Sequence, residues 1–164
     1  MMVIKYEPLN RREKIMRLFR EAIEAENARD LETAKRKLDE IMELARDEEP
    51  EFYFEACFRL ADIFLQEDNY RGAVKCAIRG VHRAPNEDLY RLGIKRLGDV
   101  LFIMKEENRL GEVSEDMDVT LSLVKNDEEL YRFVQTLMKI ARGEKVEERF
   151  SLEEFNEIIG LLRE

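Results

Sequence analysis

The 164-residue chain has no tryptophan, a single histidine, two cysteines, three prolines and seven glycines. With His82 alone, no His-rich metal centre can form, and there is no HExxH or Glu-x-x-His pattern. Cys57 and Cys76 make no Cys-x-x-Cys and are too few for a disulfide framework. They are expected to be two reduced thiols serving as small apolar residues on consecutive helices. No run approaches the ~18 apolar residues that a membrane span requires. Met1-Met2-Val3-Ile4 is too short for a secretory core, and Glu7 and Pro8 follow at once. These absences predict a soluble, cytoplasmic protein without membrane contact. Glutamine occurs only at 66 and 135, and serine only at 114, 122 and 151.

Charge fills the space those residues leave. Charged residues make up 40% of the chain, against a usual ~25%, while the 45% apolar share is ordinary. Glu, Lys and Arg in place of amides is the exchange that high growth temperature favours, because desolvating charge costs less when hot. The composition therefore predicts a thermophilic source. Calorimetry should place unfolding above the ~45–65 °C of mesophile domains, and a midpoint inside that range overturns the reading. The net charge is −9. A phosphate backbone is repelled on average, and Arg11-Arg12 and Lys35-Arg36-Lys37 are interleaved with carboxylates as solvated faces, so no nucleic-acid partner is expected.

The length suits one domain over 1–164, large enough to fold without a disulfide or metal. Helix signals dominate; Val3-Ile4-Lys5-Tyr6 is the one strand-like stretch. A first helix starts after Pro8, with Asn10 and Glu13 as a capping box, and runs to about Ala28. Asp30 caps a second, whose stripe is Leu31, Ala34, Leu38, Ile41, Met42 and Ala45. Pro50 suits the first turn of a third. From Phe52 on, that third helix is apolar on three sides, and only Glu55, Arg59, Asp62 and Gln66 are polar, so it must be packed on three sides. A fourth follows Asp68-Asn69 and ends at Pro85. Asn86 caps a fifth, apolar over most of its surface. A sixth is predicted over about 108–124, and a seventh from Asp127 to Gly143, a good stop. Ser151 with Glu154 reads as a capping box, and Phe150 with Phe155 as a hydrophobic staple, for the last helix. That helix either caps the last hairpin or docks on a neighbouring molecule.

Within the second hairpin, Cys57, Leu60-Ala61, Phe64, Ala73, Ala77 and Pro85 stand at the spacing of one motif. The pattern resembles a tetratricopeptide repeat, a helix-turn-helix unit of ~34 residues. Small residues at Ala61 and Ala73 permit close helix approach, and Leu60 and Phe64 fill the gap, which makes Phe64 an expected core anchor. The first hairpin matches at an offset of 39 residues, from Ala34 to Ala73. The third matches in its first helix only, at an offset of 37, from Ala61 to Gly98. The resemblance implies an all-α, right-handed α-α superhelix of about three hairpins, roughly 10–48, 50–85 and 86–125. Helices near 127–142 and 151–163 would cap it. The alternative is an irregular helical bundle.

In this family the first helix of each hairpin lines a concave groove that takes peptides or partner helices. Here that surface would show Phe19, Arg20 and Ile23, then Glu55, Arg59, Asp62 and Gln66, then Leu92, Lys95, Arg96, Asp99 and Phe102. The polar strip read from periodicity falls on the same face. Arg20, Arg59 and Arg96 take equivalent places and form a column suited to carboxylates of an acidic segment. Alternatively they pair internally, Arg59 with Asp62 and Arg96 with Asp99. Family members that grip a C-terminal carboxylate use Lys, Asn and Arg where this chain has Phe19, Ile23, Arg59 and Leu92; only Arg96 fits. No GxGxxG or GK[ST] occurs, and His82 is expected to assist a helix C-terminus as a partial cation. The reading is a non-catalytic adaptor, a monomer or weak homodimer, with no cofactor and no metal. The alternative is a self-assembling scaffold, its groove filled by its own chain or a mate joined through the groove or the C-terminal helix, and an enzyme working through carboxylates alone is the third reading.

Overall fold

The computed structural model describes residues 9–164; the strand-like Val3-Ile4-Lys5-Tyr6 and the stretch around Pro8 lie outside them. The described residues are all-helical. They form α1 (Arg11–Asn27), α2 (Leu31–Ala45), α3 (Pro50–Gln66), α4 (Tyr70–His82), α5 (Glu87–Glu106), α6 (Asp118–Leu123), α7 (Glu128–Ala141) and α8 (Glu153–Arg163). A short 3-10 helix, Leu110–Ser114, precedes α6.

Local chemistry starts most of these helices. The side chains of Asn10, Asp30, Asn69, Asn86 and Asp127 each accept a hydrogen bond from the N–H three residues on, at 2.8–3.3 Å. Each satisfies one orphan donor of a first turn. Pro50 sits in the first turn of α3, as its fixed φ favours. One turn closes α1, α3 and α5 alike. Arg29, Asp68 and Asn108 adopt left-handed φ of 59°, 58° and 58°. The next N–H then returns to the carbonyl five residues back, Asp30 to Ala25, Asn69 to Phe64 and Arg109 to Met104, at 2.7–2.8 Å. This is the Schellman bond, and none of the three positions holds the usual glycine. Arg29 is exposed, so Arg29→Gly should relieve its strain and raise stability by about 0.5–1 kcal/mol in urea unfolding. A loss of stability there would mean that the arginine side chain contributes more than its backbone costs.

Successive helices from α1 to α5 run antiparallel. Lys37 in the middle of α2 meets Glu21 of α1 at 2.9 Å, and Lys35, nearer the start of α2, meets Glu67 just beyond α3 at 2.9 Å. Arg12 at the start of α1 meets Glu49 before α3 at 3.3 Å. As its pattern requires, α3 is buried on several sides and divides two cores. Tyr53, Ala56, Cys57, Leu60 and Ile63 join α1 and α2, while Phe54 and Phe58 join α4 and α5. Ala34, Ala61, Ala73 and Ala77 are buried where helices meet closely. Phe64 departs from expectation: it is only half-buried, at the seam of the two cores, with the Lys35 ammonium 5.6 Å from its ring centre. The full anchor role falls to Phe58, 2% exposed.

The predicted sixth helix is broken. The 3-10 turn and α6 are separated by extended Glu115 and by Asp116 at φ 51°. Gly111 weakens the helix, and the Ser114 hydroxyl donates to the Gly111 carbonyl at 2.9 Å. Arg71 of α4 draws Glu115 and Asp116 toward itself, at 3.7 and 3.2 Å. The apolar stripe still goes inward through Val113, Met117 and Val124.

The last helix packs on α5, where Ile158 lies against Gly98 and the Lys105 ammonium donates to the Leu161 carbonyl at 2.7 Å. The staple forms, with Phe150 and Phe155 rings 5.5 Å apart. The capping box does not, because Glu129 of α7 takes over. It accepts from the Ser151 hydroxyl at 2.6 Å and from the Ser151 and Leu152 N–H groups at 2.9 and 3.1 Å. Burial opposes ionisation of Glu129, but those bonds and the Arg132 charge outweigh it and hold the carboxyl below its ordinary range. A depressed carboxylate pKa contributes stability above the unfolded value, and that contribution is lost as pH falls through the folded one. Glu129→Gln should therefore cost about 1–2 kcal/mol at neutral pH. The gap between variant and wild type should close as pH falls below the ordinary carboxylate range. A gap independent of pH in urea titrations would refute the charge-assisted cap.

Candidate partner-binding groove

Side chains of α1, α3 and α5 share one face. Phe19 is half-buried, its ring 5.9 Å from Phe52, while Arg20 and Ile23 are exposed. On α3, Glu55 and Arg59 are half-buried and Asp62 and Gln66 exposed. On α5, Leu92, Lys95, Asp99 and Phe102 are exposed and Arg96 is half-buried. An electrostatic chain crosses all three helices. Glu26 of α1 lies 3.8 Å from Arg59, Arg59 lies 3.3 Å from Glu55, and Glu55 lies 4.0 Å from Arg96. The Arg96 guanidinium also covers the Phe58 ring at 4.4 Å.

The pairs Arg59–Asp62 and Arg96–Asp99 do not form. Glu55 takes both arginines, because it sits one turn before Arg59 on α3 and faces Arg96 on the neighbouring helix. Two of the three arginines in the column are thereby engaged inside the protein. Among the described residues, Arg20 makes no ion pair within 4 Å. Glu26 is the member that periodicity left out, although it continues the Phe19–Ile23 stripe by one more turn. Desolvation raises the Glu26 carboxyl; Arg59 counters it and Asp62 adds to it. Desolvation likewise raises Asp62, against Arg96 and Arg59. Pairs this exposed contribute about 0–1 kcal/mol each, so the network orients side chains more than it holds the fold.

A second cleft, about 460 Å³, opens on the side built by α2, α4 and α6 and includes Asp39, Arg79, His82, Arg83 and Thr120. His82 is less basic than usual: burial lowers its pKa, Asp127 opposes and Arg83 adds. Its buried Nδ1 has no hydrogen-bond partner. The imidazole is therefore a poor cation for the end of α4, contrary to its expected role. Cys57 and Cys76 are free thiols. Burial pushes both up, Cys76 to about 12, so neither offers a thiolate at neutral pH. Among the described residues no three His, Cys, Asp or Glu side chains gather as a metal-binding group, and no helix is long and apolar enough to cross a membrane. No protein-family model, no curated protein and no solved structure matches this chain.

Proposed function

We propose that the chain is a non-catalytic adaptor of the tetratricopeptide-like kind. In this reading three hairpins form a right-handed superhelix closed by α7 and α8, and the face of α1, α3 and α5 holds an extended segment of another protein. The observation that carries it is the Glu26–Arg59–Glu55–Arg96 chain. It joins the first helices of three hairpins into one continuous surface. Between its charges Ile23, Leu92 and Phe102 stand 37%, 45% and 44% exposed. Mixed charged and apolar walls of this kind suit an extended ligand. The recurring left-handed turn at Arg29, Asp68 and Asn108 supports a repeated unit.

The test is capture from a lysate of the source organism, with the wild-type chain against an Ile23→Glu/Leu92→Glu variant. Both sites are exposed, so the melting temperature should barely move while the captured partner is lost. Equal capture by both chains would overturn the groove. Sedimentation at several concentrations addresses self-assembly: a stable high-order species would replace the adaptor reading.

A further inference from the structure

At the edge of the groove α8 runs alongside α5, and an open cleft of about 590 Å³ lies between them. That volume falls within the ~300–1,000 Å³ of sites that bury ligand groups. Its apolar part is Phe102 and Leu161, each 44% exposed, above Ile158. Its charged part is one-sided, with Asp99, Glu154 and Glu157 against Lys95 alone. Among the described residues, Asp99 and Glu157 make no ion pair within 4 Å.

Glu154 is the most enclosed of the three carboxylates. Its side chain is 13% exposed and one oxygen faces Arg91 across 3.7 Å. The other oxygen, Oε1, is buried, so the carboxylates that a ligand in the cleft reaches are the exposed Asp99 and Glu157.

We propose that this cleft receives a short basic-apolar segment of a partner protein. A large apolar side chain packs on Phe102 and Leu161, and a flanking Lys or Arg donates to the exposed carboxylates of Asp99 and Glu157. The proposal rests on the adaptor reading and names the charge of its partner. It reverses the acidic ligand that an arginine column implies, because Arg59 and Arg96 are already engaged by Glu26 and Glu55. A second copy of the chain fits poorly, since two molecules of charge −9 repel.

The experiment is fluorescence anisotropy with three labelled peptides that share a Phe-x-Leu core and carry flanks of Lys, Ser or Glu. The Lys peptide should bind at least tenfold tighter than the Glu peptide at low salt, and the preference should shrink as salt rises. Asp99→Lys/Glu157→Lys should remove that preference while unfolding is unchanged. Preference for the Glu peptide, or retention of the Lys preference in the double variant, overturns the proposal. Binding by no peptide also overturns it. The groove reading then survives if Ile23→Glu/Leu92→Glu still abolishes lysate capture, and falls with it if capture is unchanged. Concentration-dependent self-association that occludes the cleft would make a second copy the occupant and overturn the proposal as well.

Discussion

Phe58→Ala should cost about 3–5 kcal/mol, toward the upper end for such a truncation. The ring is 2% exposed and packs on Phe54 with centroids 5.0 Å apart. Two other helices come to it bare: a Cβ placed on Gly80 of α4 would meet the ring at 2.6 Å, and one on Gly93 of α5 at 3.4 Å. Neither glycine has a side chain that can relax into the space, so the cavity stays open and its cost stays high. The loss would be a large part of the ~5–15 kcal/mol by which domains are stable. It would also remove the ring on which the Arg96 guanidinium rests. Urea unfolding followed by helical circular dichroism measures the cost. A loss under about 1 kcal/mol would show that the three-helix junction collapses around the gap, against the packing described above.

Phe155→Ala should cost a similar ~3–5 kcal/mol, but with a local signature. Phe155 is fully buried, and the rings of Phe133, Phe150 and Tyr90 lie 4.4, 5.5 and 6.4 Å from it. The cluster joins α5, α7, the connector and α8. Tyr90 is fixed in turn by donating its hydroxyl to Asp127 at 2.8 Å. An 11-residue helix is marginal in water by itself, so α8 released from this cluster should unravel. Hydrogen exchange should show α8 amides losing protection while α3 and α4 keep theirs. Equal loss across the chain would mean that α8 belongs to one cooperative unit with the rest.

The features legible from the sequence are those whose interactions close within a few residues. A cap is a bond over three positions, so Asn10, Asp30, Asn86 and Asp127 could be named at once. Helical periodicity is likewise internal to one element, and it marked α3 as packed on several sides before any neighbour was known. The polar strip Glu55, Arg59, Asp62 and Gln66 was legible for the same reason, and all four remain at least partly accessible.

What the tertiary structure decided depends on which groups arrive from elsewhere. Glu129 displaces the expected cap of α8 from 22 residues upstream because its two oxygens reach three donors at once. Asn156 accepts from the Phe150 N–H and donates to its carbonyl, each at 2.9 Å, a clasp that no spacing rule announces. Arg71 pulls residues 115 and 116 out of the helix that their apolar stripe predicted. Glu55 wins Arg59 from Asp62 and also meets Arg96, because carboxylate choice is set by distance between neighbouring helices as well as along one. The chain by itself determined where helices begin, which faces they bury and how much charge they carry. Only the fold determined which charges meet and which stay open, because an ion pair's energy falls with separation, and separation across helices is a property of packing.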